Sequence, residues 1–536
     1  MIQNPILPGF NPDPSICRVA DEVYIATSTF EWYPGVQIHR SRDLVNWTPV
    51  ARPLSRASQL DMRGNPDSCG IWAPCLSYAD GLFWLVYTDV KRFEGNFKDA
   101  HNYIVTAPSI EGPWSDPVYV NSSGFDPSLF HDDDGRKWFV NMVWNHRTES
   151  IGGSPKSPAF DGILLQEWDA NTGKLVGPVR NIFRGSPHGL VEGPHLFKRR
   201  GWYYLTTAEG GTGYDHAVTM ARSRRIDGPY ELHPDRHLIT SQHAPEAPLQ
   251  RAGHGQLVKM PDGSSYHTHL CGRPLKTPAG PRCPMGRETA LQRVEWREDG
   301  WLYLAHGDQV PAVDVPAPNP ATVKMPRGAV THDFRQCKAL PIEFQWLRTP
   351  YPERLFQLGS EGLRLIGRES VGSWFEQSLV ARRQEDFRFR AETVLRFEPD
   401  SYQQAAGLTL YYNRTKFHAA LVTWHEIHGR CLTLMNCPGE WPSGRLQFPL
   451  STPVSVSALE LRLAAEVRDA ALQFFYDSGS GWQPLGPVLD ASLVSDEAGF
   501  GEHGSFTGAF VGMLAFDTSG SARAADFRNF RYEPLP

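Results

Sequence analysis

Short runs rich in Val, Tyr, Trp, Phe and Thr alternate along the chain with Asp-Gly and Gly-Pro punctuation, and apolar residues seldom recur at helical spacing. This pattern predicts many short strands and a mostly β protein. Up to residue 308 one unit recurs, a polar turn followed by an aromatic strand. Its copies are Asp21-Glu22-Val23-Tyr24-Ile25, Asp80-Gly81-Leu82-Phe83-Trp84, Asp134-Gly135-Arg136-Lys137-Trp138, Arg200-Gly201-Trp202-Tyr203-Tyr204 and Asp262-Gly263-Ser264-Ser265-Tyr266. A period of about 60 residues marks a repeat architecture, and Asp-Gly suits tight hairpins because Gly accepts positive φ. Second turns follow, as in Ser41-Arg42-Asp43 and in the paired Glu111-Gly112-Pro113-Trp114 and Asp227-Gly228-Pro229-Tyr230. The expected fold is a five-bladed β-propeller, each blade a small antiparallel sheet.

The repeat locates its own axis. Eight residues before each turn stand Asp13, Trp72, Asp126, Glu192 and His254. If the segment leading into each hairpin is the innermost strand, all five side chains converge.

Beyond residue 308 the pattern changes. Residues 309–328 are Pro-rich and aperiodic, which reads as a semi-rigid linker between a propeller over 1–308 and a second domain over 329–536. That domain carries alternating strands such as Phe387-Arg388-Phe389-Arg390-Ala391-Glu392-Thr393-Val394, Leu408-Thr409-Leu410-Tyr411-Tyr412 and Leu459-Glu460-Leu461-Arg462-Leu463, each with one apolar and one polar face. A β-sandwich of the concanavalin type is the expectation.

Composition narrows the partners. Among 536 residues the net charge is -6, and mean hydropathy is -0.40, so neither a basic nucleic-acid surface nor a membrane-spanning stretch is indicated. Eight cysteines without CxxC pairs suggest neither a zinc site nor a disulfide framework. The opening residues show no charged and apolar leader, so a cytoplasmic location is the expectation. A homo-oligomer is left open. Aromatic residues make up 12% of the chain, which suits both β cores and sugar-binding clefts.

The chemistry rests on three carboxylates in blade register. Asn11-Pro12-Asp13-Pro14-Ser15 and Gly124-Phe125-Asp126-Pro127-Ser128 repeat an Asp-Pro-Ser triplet, and Val191-Glu192-Gly193-Pro194-His195 supplies the third acid. An isolated Asp beside Pro is an ordinary turn residue, and flanking prolines should hold Asp13 extended. Three acids converging on one axis repel one another, however, and packing does not call for them. Hydrolysis of a glycosidic bond does: it needs one protonated acid and one ionised base or nucleophile, and a third carboxylate raises the pKa of the acid. Cation binding is the rival use, although no Asp-rich calcium loop is present. His254 could be a hydrogen-bonded core residue or a metal ligand, and Trp72 a packed ring or a sugar platform.

Taken in order, Asn-Pro-Asp-Pro-Ser, Ser28-Thr29-Phe30-Glu31-Trp32-Tyr33-Pro34-Gly35-Val36, Ile71-Trp72-Ala73-Pro74, Gly-Phe-Asp-Pro-Ser, Glu-Gly-Pro-His and Gly286-Arg287-Glu288-Thr289 resemble family-43 glycoside hydrolases of the β-xylosidase type. The likeness extends to Phe506-Thr507-Gly508-Ala509-Phe510 near the end of the chain. It implies an inverting enzyme with Asp13 as general base, Glu192 as general acid and Asp126 as the residue that orients the acid and lifts its pKa. Inversion calls for carboxyls about 6.5–9.5 Å apart. By the same resemblance Arg287 contacts sugar and carboxylates, Phe30, Trp72 and Trp144 wall the pocket, His254 lies near the sugar and near a structural calcium found in some members, and Phe506 is lent by the sandwich to close one end. Asn145 stands where the resembling sequences carry Asp, which weakens a substrate role for residues 144–147.

The implied activity is exo-removal of xylose from non-reducing ends of β-1,4-xylo-oligosaccharides, without a cofactor in the chemistry and with α-L-arabinofuranosidase side activity. The alternatives are a main α-L-arabinofuranosidase activity, a retaining fructan-cleaving propeller, against which the absence of Asn-Asp-Pro-Asn-Gly counts, or a non-catalytic carbohydrate-binding propeller.

Overall fold

A computed structural model describes residues 1–93, 97–147, 159–439, 445–499 and 505–536. The recurring turns close the first hairpin of five antiparallel sheets. Blade I is Ser15–Val19, Glu22–Thr27, Gln37–Ser41 and Thr48–Ala51. Blade II is Gly70–Ala79, Leu82–Arg92, Asp99–Ala107 and Val118–Asn121; blade III is Ser128–His131, Lys137–Trp144, Phe160–Asp169 and Lys174–Phe183. Blade IV is Glu192–Arg199, Trp202–Glu209, Ala217–Ser223 and Glu231–Thr240. In blade V the inner edge is split into Gln250–Gly253 and Leu257–Lys259, both paired to Ser265–Gly272, followed by Glu288–Trp296 and Leu302–Leu304. The first strands of blades I to IV pack against one another in turn, and Leu257–Lys259 of blade V packs against that of blade I, so these strands are the innermost; the split in blade V falls at His254.

The N-terminal segment ties the ring shut. Leu7 exchanges backbone hydrogen bonds with Thr289, and Asn4 does the same for Leu291 through its side-chain amide. The Pro-rich segment is not suspended between domains: Asp314–Val315 pairs with Ile2–Gln3, and Val315 and Ala317 are buried. Its prolines prevent a long ladder, but two residues suffice to dock it on the propeller.

The second domain is two facing eight-stranded sheets, a β-sandwich. The strand expected around Phe387–Val394 runs over Arg388–Arg396, and that around Leu459–Leu463 over Glu460–Arg468. Gln404–Asn413 departs from the expected half-polar pattern because both of its faces are buried. Ala406, Leu408, Leu410 and Tyr412 enter the sandwich core, whereas Ala405 and Tyr411 face the propeller. The sheet is covered on both sides, so alternation gives way to a continuous apolar run.

The two domains also share a strand. Trp32–Tyr33, from the loop within blade I, pairs with Phe344–Leu347 and forms the edge of a sandwich sheet. The Trp32 ring stacks on Phe510 with centroids 3.6 Å apart. Beside this strand, buried Arg348 donates to Asp67 Oδ1 at 2.7 Å and to the Asn65 carbonyl at 2.7 Å, while Arg414 lies 3.2 Å from the other Asp67 oxygen. A buried carboxylate is tolerated only with such partners. Arg348→Met is therefore expected to destabilise the protein by about 3–5 kcal/mol. Adding Asp67→Asn should recover much of the loss, and thermal unfolding of the two variants measures both effects.

Candidate active site

The five residues that the repeat places on the axis line one cavity of about 250 Å³, together with Phe30, Trp144, Arg287 and Phe506. How the chain delivers them differs from the extended backbone that the flanking prolines suggest. Asp13, Asp126 and His254 have φ of 55°, 53° and 48°, in the left-handed region, at equivalent places in blades I, III and V. Such a conformation costs a non-glycine residue about 1–2 kcal/mol and persists only where other contacts fix it. At Asp13 those contacts are Ser28 Oγ, which donates to Oδ2 at 2.7 Å, and Arg287 Nη1, which donates to Oδ1 at 2.7 Å. At Asp126 the Gly193 N–H donates to Oδ2 at 3.0 Å. The Asp126 bond also fixes the backbone next to Glu192, so one acid orients the other.

Glu192 and Asp126 titrate above the ordinary carboxylate range. Burial pushes the Glu192 carboxyl up to about 8, and the charge of Asp13 adds to it, with Arg287 and Lys98 opposing. Asp126 is raised well above the usual carboxylate range, first by burial and then by Glu192 and Asp13. Both shifts have the same sign, and two close acids in such a site share their protons. The Gly193 N–H favours the ionised form of Asp126, whereas no hydrogen bond to the Glu192 carboxyl is found among the described residues. Glu192 is accordingly the better proton carrier of the two.

Arg287 joins the domains at this point. Its Nη2 donates to the Phe506 carbonyl at 3.1 Å, and its guanidinium lies 5.5 Å from the Phe30 ring and 5.8 Å from the Phe506 ring. The neighbouring Gly286 has φ of 63°, and a side chain there would stand 1.9 Å from the Thr507 carbonyl oxygen. The segment carrying Phe506 is pinned from three further sides. Phe506 N–H donates to Ser68 Oγ at 3.2 Å, Thr507 N–H donates to Tyr412 Oη at 3.1 Å, and Ala509 N–H donates to the Pro284 carbonyl at 2.7 Å. Glu31 accepts from Ser68 N–H at 3.0 Å, which explains why a buried acid sits in the Ser28–Val36 motif.

Phe93, Lys98, Phe125, Phe160 and His216 also line the cavity, and sequence reasoning did not single them out. Lys98 is the informative omission. Its ammonium sits 4.3 Å from the Trp144 ring centroid and donates to the Phe93 carbonyl at 2.8 Å, and burial lowers its pKa to about 8. Nothing in the local pattern around residue 98 distinguishes it from a surface lysine. Trp144 reaches the cavity, whereas Asn145 turns away to donate to Asp161 Oδ2 at 2.9 Å and accept from Arg147 Nε at 2.9 Å.

His254 packs on Gly193 and lies 6.0 Å from the His195 ring, and burial lowers its pKa, so it is a neutral imidazole. Calcium takes six to eight oxygens. Around His254 stand the imidazoles of His195 and His216, with unpartnered buried ring nitrogens, and the single carboxylate of Asp13, and no cluster of three or more His, Cys, Asp or Glu suited to a metal occurs among the described residues. These side chains do not supply a calcium shell, and no step below uses one.

Comparison with known proteins places this geometry in a family. Residues 2–302 match the model of glycosyl hydrolases family 43, and residues 331–533 match that of the β-xylosidase C-terminal concanavalin A-like domain. The chain is 58% identical to xylosidase/arabinosidase 43B of Humicola insolens, over 100% of this chain and 98% of that protein. It is 47% identical to a β-xylosidase of Bacillus subtilis strain 168, over 99% of each. The crystal structure of a xylan β-1,4-xylosidase from Bacillus halodurans C-125 superposes with a TM-score of 0.94 at 50% identity, covering 99% of this chain and 100% of that one. A propeller and sandwich matched along their whole length, with three acids on the propeller axis, make this chain a member of glycosyl hydrolase family 43.

Proposed function

We propose that the protein is an exo-acting, inverting β-xylosidase that removes single xylose units from the non-reducing ends of β-1,4-xylo-oligosaccharides. The observation that carries this reading is the pairing of a buried, proton-bearing Glu192 with an Arg287-held Asp13 in one small aromatic cavity. The relatives named as β-xylosidases support the choice of sugar. The aromatic lining by Phe30, Trp72, Trp144 and Phe506 supports exo action, because a small pocket walled by rings suits a chain end.

In this mechanism Asp13 accepts a proton from water as the water oxygen bonds to the anomeric carbon. The glycosidic bond breaks on the opposite side, and its oxygen takes the proton of Glu192. Arg287 and Ser28 keep the Asp13 carboxylate in one orientation, and Arg287 supplies its countercharge. Asp126 fixes the backbone beside Glu192 through the Gly193 N–H, while burial and the charge of Asp13 raise the pKa of Glu192. The aromatic walls exclude bulk water and stack on the apolar faces of the sugar. Activity on α-L-arabinofuranosides follows as a side reaction, in keeping with the double name of the Humicola insolens relative.

Xylobiose cleavage followed by NMR should show α-xylose as the first-formed anomer; β-xylose appearing first would refute inversion. Asp13→Ala is expected to lower kcat by about 10²–10⁴-fold with binding retained. A non-catalytic binding propeller would instead show no turnover in the unaltered protein.

The pH dependence has a definite sign. Glu192 donates its proton, so it is active below its raised pKa and inactive above it. The kcat/KM for xylobiose should fall as pH rises through about 8, and Glu192→Gln should lose far more activity on xylobiose than on a 4-nitrophenyl xyloside, whose leaving group needs no proton. Equal losses on both substrates would assign the proton elsewhere.

A further inference from the structure

The boundary between blade I and the sandwich holds two guanidinium groups, those of half-buried Arg52 and buried Arg383, that form no ion pair among the described residues. Arg52 Nε donates to Gln37 Oε1 at 2.8 Å and its Nη1 to the Phe344 carbonyl at 2.6 Å. Arg383 Nε donates to the Phe10 carbonyl at 2.6 Å, and its Nη1 reaches Gln345 Oε1 at 2.7 Å and the same Gln37 Oε1 at 3.4 Å. Every acceptor here is a neutral oxygen. Each arginine keeps a buried Nη2 with no hydrogen-bond partner, and the Nδ1 of buried His39 beside them has none either. Arg383 is 4% exposed. Glu385 and Glu343, whose charges act on Arg383 and Arg52, border the adjoining cavity without bonding either guanidinium; Glu385 pairs with Arg382 and Arg327, and Glu343 lies 3.8 Å from His332.

Two like charges sharing one amide oxygen in a desolvated place repel, and a buried donor without an acceptor costs about 1–3 kcal/mol. Arg383 and His39 border a cavity of about 640 Å³ between the N-terminal segment, the Pro-rich segment and the sandwich, which supplies an entry path. The Phe10 and Phe510 rings close the inner side, 5.7 and 5.4 Å from the Arg383 guanidinium. A small, weakly hydrated monovalent ion loses less on entering such a place than a dianion does. We infer that the Arg52–Gln37–Arg383 cluster is a binding site for a monovalent inorganic anion of the halide type, which locks blade I to the sandwich. This site is separate from the carboxylate cavity and independent of the function proposed for it.

The test uses the full chain. Its thermal midpoint should rise by about 2 °C from low to high sodium chloride, relative to sodium isethionate at equal ionic strength. Arg383→Gln and Arg52→Gln should abolish the difference between the two salts. A midpoint that responds equally to chloride and isethionate, or a chloride effect that survives in both variants, would overturn the site. Should the variants not fold, crystals of the unaltered protein grown in sodium bromide decide the matter. An anomalous peak between the two guanidinium groups supports the site, and water there without anomalous signal rejects it.

Discussion

Arg287 holds the Asp13 carboxylate with one arm of its guanidinium and the backbone of the sandwich at Phe506 with the other. The geometry of the cavity depends on this bridge, because it makes the position of the domain-spanning segment a condition on the orientation of a carboxylate. A positive φ at Asp13 would relax without it, and Phe506 would lose one of its anchors. Gly286 is the concession that permits it: the two backbones meet so closely that no side chain fits between them.

Around that bridge the site is an electrostatic compromise. Three acids and one arginine share a small buried volume, with Lys98 at its rim. Burial pushes the pKa values of Glu192 and Asp126 up. Arg287 and Ser28 supply donors to Asp13, and the Gly193 amide supplies one to Asp126, so the hydrogen bonds are distributed unevenly and Glu192 is left with none among the described residues. Chemically similar groups thereby sit in different electrostatic settings, set by environment and not by residue type.

The blade repeat and the register of Asp13, Trp72, Asp126, Glu192 and His254 could be read from the chain because a propeller imposes the same local geometry at every blade. The backbone at Asp13 could not, since tertiary hydrogen bonds override the preference of a residue that precedes proline. Phe93, Phe125 and Phe160 are equally hidden, because an aromatic residue looks the same in sequence whether it packs in a core or faces a cavity. Lys98 carries no local signature. The Trp32–Tyr33 strand is too short for periodicity to register, and the second buried face of Gln404–Asn413 exists only because another domain covers it.

That two-residue strand has a consequence for how the protein is made. Gln345, in the strand that pairs with Trp32–Tyr33, donates to the Pro34 carbonyl across 311 positions of sequence. At a synthesis rate of about 5–20 residues per second, the first blade waits roughly 15–60 s on the ribosome for the segment that completes it. During that interval Trp32 and the edge beside it have no native cover. Nascent chains of this protein should therefore be at their most chaperone-dependent after the propeller is complete and before the sandwich emerges, and a stop codon placed between the two would leave a ring of blades with an open, aromatic seam.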